Sequence, residues 1–156
     1  GLKHRPAFIM GVAQGHSDEP RSFTEQPVMS EVAGIRKAAK RAFAMAGLTP
    51  KDVDVAELYD CFTSVVLSSI EDIGFCRKGE GGAFVEGGRI ELGGELPIIT
   101  HGGLLSEAHV IGINHVIEAV RQIRGDCGER QVENAEIVLV SGQGYFSEGS
   151  IMLLRR

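Results

Sequence analysis

Val53-Asp54-Val55-Ala56-Glu57-Leu58-Tyr59-Asp60-Cys61-Phe62 runs from apolar alternation into a polar Tyr-Asp-Cys turn. Val53, Val55, Ala56 and Leu58 predict a short buried strand. After the turn, Phe62, Val65, Val66, Ser69, Ile70 and Ile73 fall on one helical stripe that Gly74 ends. The turn therefore lies at the carboxyl end of a strand, where α/β proteins gather their working groups.

The same grammar extends in both directions. Upstream, Thr49-Pro50-Lys51-Asp52 has the residues of a capped single turn. Before it, Val28, Val32, Ile35, Ala39, Ala42, Phe43 and Ala46 recur at helical spacing up to Gly47. The apolar run Ala7 to Ala13 predicts a strand, and Gln14 to Pro27 a polar loop. Downstream, residues 79–94 hold seven glycines around Ala83-Phe84-Val85 and predict an ordered non-helical excursion. Leu96 to Thr100 predicts a strand ending at His101-Gly102-Gly103. Ile113, Val116, Ile117, Val120 and Ile123 predict a helix from near His109 to Gly125. Glu136–Val140 and Ser150–Leu154 predict an antiparallel pair joined by the glycine-rich turn from Ser141 to Gly149. The order β-α-β-α-β-α-β-β predicts an α/β fold, a mainly parallel mixed sheet covered by helices.

Composition narrows the function classes. The 156 residues are 43% apolar and 24% charged, which suits one globular domain. A net charge of -5 with scattered Lys and Arg argues against nucleic acid, and no apolar run approaches the length of a membrane span. Cys61, Cys76 and Cys127 form no CxxC pair, so reduced thiols in a cytoplasmic setting are expected. The spacing of the five histidines and three cysteines predicts no metal site.

Two segments carry candidate chemistry. Cys61, read as lying in the first turn of a helix, is expected to have a lowered pKa and to act as nucleophile or acid/base. His109, ahead of the next helical stripe, suits an N–H donor to a carbonyl or enolate oxygen. His101 beside Gly102-Gly103 is an even choice between backbone partner and site residue, and His115, His4 and His16 are read as structural.

Three ordered segments, Glu57–Phe62, Gly74–Gly82 and His101–His109, resemble the C-terminal domain of thiolases. The branch they resemble holds the sterol carrier protein thiolases and thiolase-like lipid-transfer proteins. The resemblance spans residues 1–156 and implies the thiolase C-terminal fold, with an N-terminal half bearing the nucleophilic cysteine outside this chain. It implies an acetyl-CoA acetyltransferase-like acyltransferase with Cys61 as acid/base, His109 in the oxyanion hole and Tyr59 assisting. His101, Gly102, Gly103, Ser141 and Tyr145 become the substrate-contacting positions. Coenzyme A enters as substrate or product, with no covalently bound cofactor. The partners implied are an acyl-CoA, an N-terminal half or second thiolase subunit in a homo-oligomer, and a small zinc-ribbon/OB-fold protein. Tyr59 stands where the branch carries His, and the thiolase-like retro-aldolases of steroid side-chain breakdown also carry tyrosine there. Cleavage of a β-hydroxyacyl-CoA is therefore an alternative, and a non-catalytic assembly domain is another.

Overall fold

The computed structural model describes residues 4–19, 30–144 and 147–156. Their strands are β1 (Phe8–His16), β2 (Val55–Glu57), β3 (Ile137–Gly144) and β4 (Glu148–Arg155). Their α-helices are α1 (Ala33–Ala46), α2 (Thr63–Ile73), α3 (Gly81–Phe84), α4 (Gly103–Ser106) and α5 (Ile113–Arg124).

The strands form one sheet in the order β1-β4-β3-β2. β2 lies parallel to β3, while β4 runs antiparallel to both its neighbours. The α/β class is as expected, but the balance within the sheet is not mainly parallel. The β3–β4 hairpin inserts between β1 and β2, so two of the three ladders are antiparallel. The expected strand at 96–100 shrinks to one parallel bridge between Ala56 and Ile98. Ile99 then turns to a φ of 55°, a left-handed conformation that a β-branched residue adopts at a steric cost.

Side-chain alternation distributes the core over both faces. Ile137, Leu139, Ile151 and Leu153 point into one apolar cluster with Ile35, Ala38, Ala42 and Phe43 of α1 and Ile70 and Ile73 of α2. Val138, Val140 and Leu154 point into the other, with Ala119 and Ile123 of α5. Each such buried Val, Leu or Ile side chain contributes about 2 kcal/mol, before the entropy of ordering the chain is subtracted. Asp54 fixes the register of β2 on β3, its Oδ2 accepting the backbone N–H groups of Glu136 (2.9 Å) and Ile137 (2.8 Å).

α1 lies against the sheet at backbone distance. A Cβ added to Gly34 would meet the backbone N of Gly149 and, at 2.6 and 2.8 Å, the Glu148 carbon and the Gly15 oxygen. The helix begins at Ala33, and Val28, the first residue of the expected stripe, lies outside the described residues with part of the polar loop. β1 and β3 both outrun their predicted ends, because pairing with β4 carries Gln14–His16 and Ser141–Gly144 into the ladder. Within the glycine-rich excursion, α3 supplies one helical turn where none was expected, and Arg89 lies 5.0 Å over the Phe84 ring.

Candidate active site

β2 ends at Glu57, and Leu58, Tyr59 and Asp60 continue as buried irregular backbone before α2 begins at Thr63. Tyr59 is 8% exposed, and its backbone N–H donates to Ser141 Oγ at 2.9 Å. That bond ties the segment after β2 to β3 and fixes where the phenol ring leaves the sheet. The ring meets His109 edge-on, with centroids 6.4 Å apart, and His115 likewise at 6.3 Å. Gly112 is packed on it: an added Cβ there would stand 3.2 Å from Tyr59 Cδ2.

His109 is exposed and lies in the irregular stretch between α4 and α5, four residues before α5 begins rather than at its mouth. Asn114, in the first turn of α5, pins that stretch by donating to Glu107 Oε2 (3.2 Å) and the Ala108 carbonyl (3.4 Å). Ile111 in the same stretch takes a φ of 57°, a second left-handed isoleucine beside the site.

Cys61 precedes Phe62, the N-cap of α2, and so lies outside the first turn in which it was expected. Its thiol is half-buried, and burial pushes its pKa up. The Phe62 and Cys61 backbone amides pull the other way and are outweighed, with Asp60 adding to the rise. The lowered pKa expected from a helix N-terminus is thus reversed, and the group is a thiol at neutral pH. Burial also raises the Tyr59 phenol, helped by Cys61 and Asp60. Both groups can give a proton at neutral pH. Iodoacetamide alkylation followed against pH should place the Cys61 midpoint above that of free cysteine, and a lower midpoint would restore the helix-mouth picture.

Behind Tyr59 lies a buried polar cluster that the chain's spacing conceals. His101 Nδ1 stands 3.0 Å and His115 Nδ1 3.8 Å from Glu57 Oε2. These are close charge contacts without the alignment of directed hydrogen bonds. The Nε2 atoms face other carboxylates, His115 at 3.2 Å from Asp60 Oδ1 and His101 at 3.5 Å from Glu107 Oε2. Glu57 Oε1 accepts from the Thr100 backbone N–H (3.2 Å) and hydroxyl (2.8 Å). Glu118 holds Arg130 through both carboxylate oxygens at 3.2 Å. Asp60 accepts the N–H groups of Leu104 (2.8 Å) and Leu105 (3.3 Å). Burial works against the Glu57 carboxylate, but His101, His115 and Thr100 more than offset it and lower its pKa to about 2. Burial likewise opposes a charged His101, yet Glu57, Glu107 and Glu118 raise its pKa on balance.

Tyr59 is thus brought against His109 and beside Cys61, as the candidate roles require. The expected substrate-contacting positions are placed differently. The His101 side chain is 4% exposed and enclosed by the cluster, and Ser141 is buried under Tyr59. Gly103 is buried against Asp60, Gly102 precedes α4 at a φ of 95°, and Tyr145 lies outside the described residues.

α5 also buries a different face from the one its spacing predicts. Its buried face carries Asn114, His115, Glu118, Ala119, Gln122 and Ile123, while Ile113 and Ile117 of the expected apolar stripe are 55% and 46% exposed. The available signal was Glu57, a lone carboxylate inside an apolar strand, because a buried charge requires partners.

Comparison with known proteins adds a family. The model for the family described as thiolase C-terminal domain-like matches residues 15–156. A steroid side-chain-cleaving aldolase of Thermomonospora curvata is 38% identical over 97% of this chain and 39% of its own. A 17-hydroxy-3-oxo-4-pregnene-20-carboxyl-CoA lyase of Mycobacterium tuberculosis is 39% identical over 97% of this chain and 40% of its own. An acetyl-CoA acetyltransferase of Methanothermobacter thermautotrophicus is 44% identical over 69% of this chain and 29% of its own. Among solved structures, an Ltp2-ChsH2(DUF35) aldolase superposes with a TM-score of 0.92 at 36% identity, covering 99% of this chain and 40% of that one. The chain therefore spans about two-fifths of the length of the aldolase and lyase relatives it matches.

Proposed function

The chain belongs to the thiolase C-terminal domain-like family, and from that premise we propose that it is part of an enzyme that cleaves a β-hydroxyacyl-CoA by a retro-aldol reaction. This reading replaces the acyl transfer that the sequence resemblance first implies. Tyr59 carries it, because a buried phenol held between His109 and His115 sits where acyl-transferring members have His or Asn. Two of the relatives that match nearly the whole chain are named as an aldolase and a lyase, which supports the same choice.

In the proposed step the substrate's β-hydroxyl O–H and Cα–Cβ bonds break. A ketone or aldehyde C=O forms, and the electron pair passes to the thioester enolate. A proton then forms the new Cα–H bond, so the hydroxyl proton is conserved and no acylated cysteine is needed. His109 donates to the thioester oxygen, where charge develops. A fixed donor in such a place is worth about 10² to 10³ in rate. Cys61 supplies the α-proton, and Tyr59, protonated beside it, takes the hydroxyl proton while handing its own to the Cys61 sulfur, so that both groups end the cycle protonated as they began. Coenzyme A remains in the acyl thioester product and is not consumed.

A partner also follows from the exposed surface. Phe8, Ile9, Val12, Ile111, Ile113 and Ile117 are each at least 46% exposed on β1, α5 and the loop before α5. We propose that the remainder of a thiolase-like subunit, or a second chain, covers this apolar surface. The test of the reaction is whether full-length protein, with any partner that co-purifies, cleaves a β-hydroxyacyl-CoA without free coenzyme A. Strict dependence on added coenzyme A would return the chain to acyl transfer.

A further inference from the structure

We infer that Glu57, His101 and His115 form a binding site for a divalent transition-metal ion, a structural centre behind Tyr59 that is separate from the proposed reaction. One carboxylate oxygen and one nitrogen from each imidazole lie within 4.8 Å of one another. The atoms that converge are Glu57 Oε2 and the two Nδ1 nitrogens, which stand 3.0 and 3.8 Å from that oxygen without the alignment of a directed hydrogen bond. Glu57 and His115 are 0% exposed and the His101 side chain 4%, so bulk solvent does not reach these atoms.

The surroundings suit a metal in two further ways. Each imidazole turns its other nitrogen toward a carboxylate, His115 to Asp60 and His101 to Glu107. Outer carboxylates stand in this position around metal-bound histidines, although here neither Nε2 makes an aligned hydrogen bond. Charge balance points in the same direction. Glu57, Asp60 and Glu118 are buried carboxylates, while among the described residues Arg130 is their one permanently cationic partner, leaving two charges uncompensated. A dication supplies the missing positive charge. Two imidazoles with one carboxylate form a donor set suited to zinc.

The ligands come from the end of β2, the turn after the Ala56–Ile98 bridge and the first turn of α5, which is why sequence spacing does not reveal them. An ion there would clamp these segments together behind the Tyr59 ring.

The experiment uses the full-length chain, stripped with a chelator and titrated with Co2+. Expected is uptake of about one equivalent per chain with visible ligand-field bands of nitrogen and oxygen donors. Zn2+ should displace those bands and raise the thermal midpoint. Glu57→Gln and His115→Gln should each lose both responses, while His16→Gln on exposed β1 keeps them. Because the buried variants risk misfolding, wild-type uptake is decisive by itself. Folded wild-type chain that takes up no Co2+ would overturn the site. So would sulfur-to-cobalt charge-transfer bands, or uptake unchanged in both folded variants. None of these outcomes bears on the retro-aldol reading, whose test follows carbon–carbon cleavage.

Discussion

Tyr59→Phe in the full-length protein should lower the rate of β-hydroxyacyl-CoA cleavage by about 10² or more while leaving the fold unchanged. The ring is what packs: it meets His109 and His115 edge-on and lies under Gly112, and phenylalanine keeps all three contacts. In the proposed mechanism the hydroxyl is what reacts, held protonated by burial and by neighbouring Cys61 and Asp60. The variant therefore separates chemistry from packing. Steady-state kinetics with circular dichroism and thermal melting checks it. A normal rate would remove Tyr59 from the mechanism, and a large fall in melting temperature would assign it a structural role instead.

Gly103→Ala should destabilise the protein by about 3 kcal/mol, combining left-handed backbone strain with overpacking. Gly103 has a φ of 65°, and an added Cβ would collide with Asp60 Oδ2 and stand 2.6 Å from both Asp60 Cγ and Ile99 Cγ2. Neither neighbour can yield freely. Asp60 is held by the Leu104 and Leu105 amides and faces His115, and Ile99 is already in the left-handed region. The same variant should slow catalysis, because Asp60 lies between Tyr59 and Cys61 in the chain. Gly82→Ala is the matched control: nothing lies within 4 Å of its added Cβ, and a change under about 1 kcal/mol is expected. Denaturant unfolding of both variants measures the difference.

The elements that bury a continuous apolar face were legible in the sequence. α1 and α2 end at Gly47 and Gly74 where the stripes stop, and the Thr49–Asp52 turn is capped through Asp52 Oδ2 at 2.7 Å from both the Thr49 N–H and hydroxyl. Elements whose partners are polar and distant were not. α5 appeared to be an apolar stripe, yet it turns His115, Glu118 and Gln122 inward to serve Glu57, Thr100 and Arg130. Periodicity weighs how apolar a residue is and takes no account of a hydrogen bond formed across dozens of residues. The 96–100 strand failed for a local reason, the left-handed Ile99, which no propensity for a β-branched residue would suggest.

At the site, Tyr59 and His109 were identified from sequence and do meet, while the electrostatics of Cys61 came out with the opposite sign. A shift of two residues relative to the helix start decides that difference. Ahead of the N-cap, the thiol gains amide contacts too weak to overcome its burial.

The most direct test of the account follows the proton. Full-length protein with its co-purifying partner is given a β-hydroxyacyl-CoA in D2O with no free coenzyme A. The account predicts equal amounts of carbonyl product and shortened acyl-CoA, with a rate indifferent to added coenzyme A and deuterium at the α-carbon. Cleavage that appears only with added coenzyme A and a 3-oxoacyl-CoA, yielding two acyl thioesters, would contradict it.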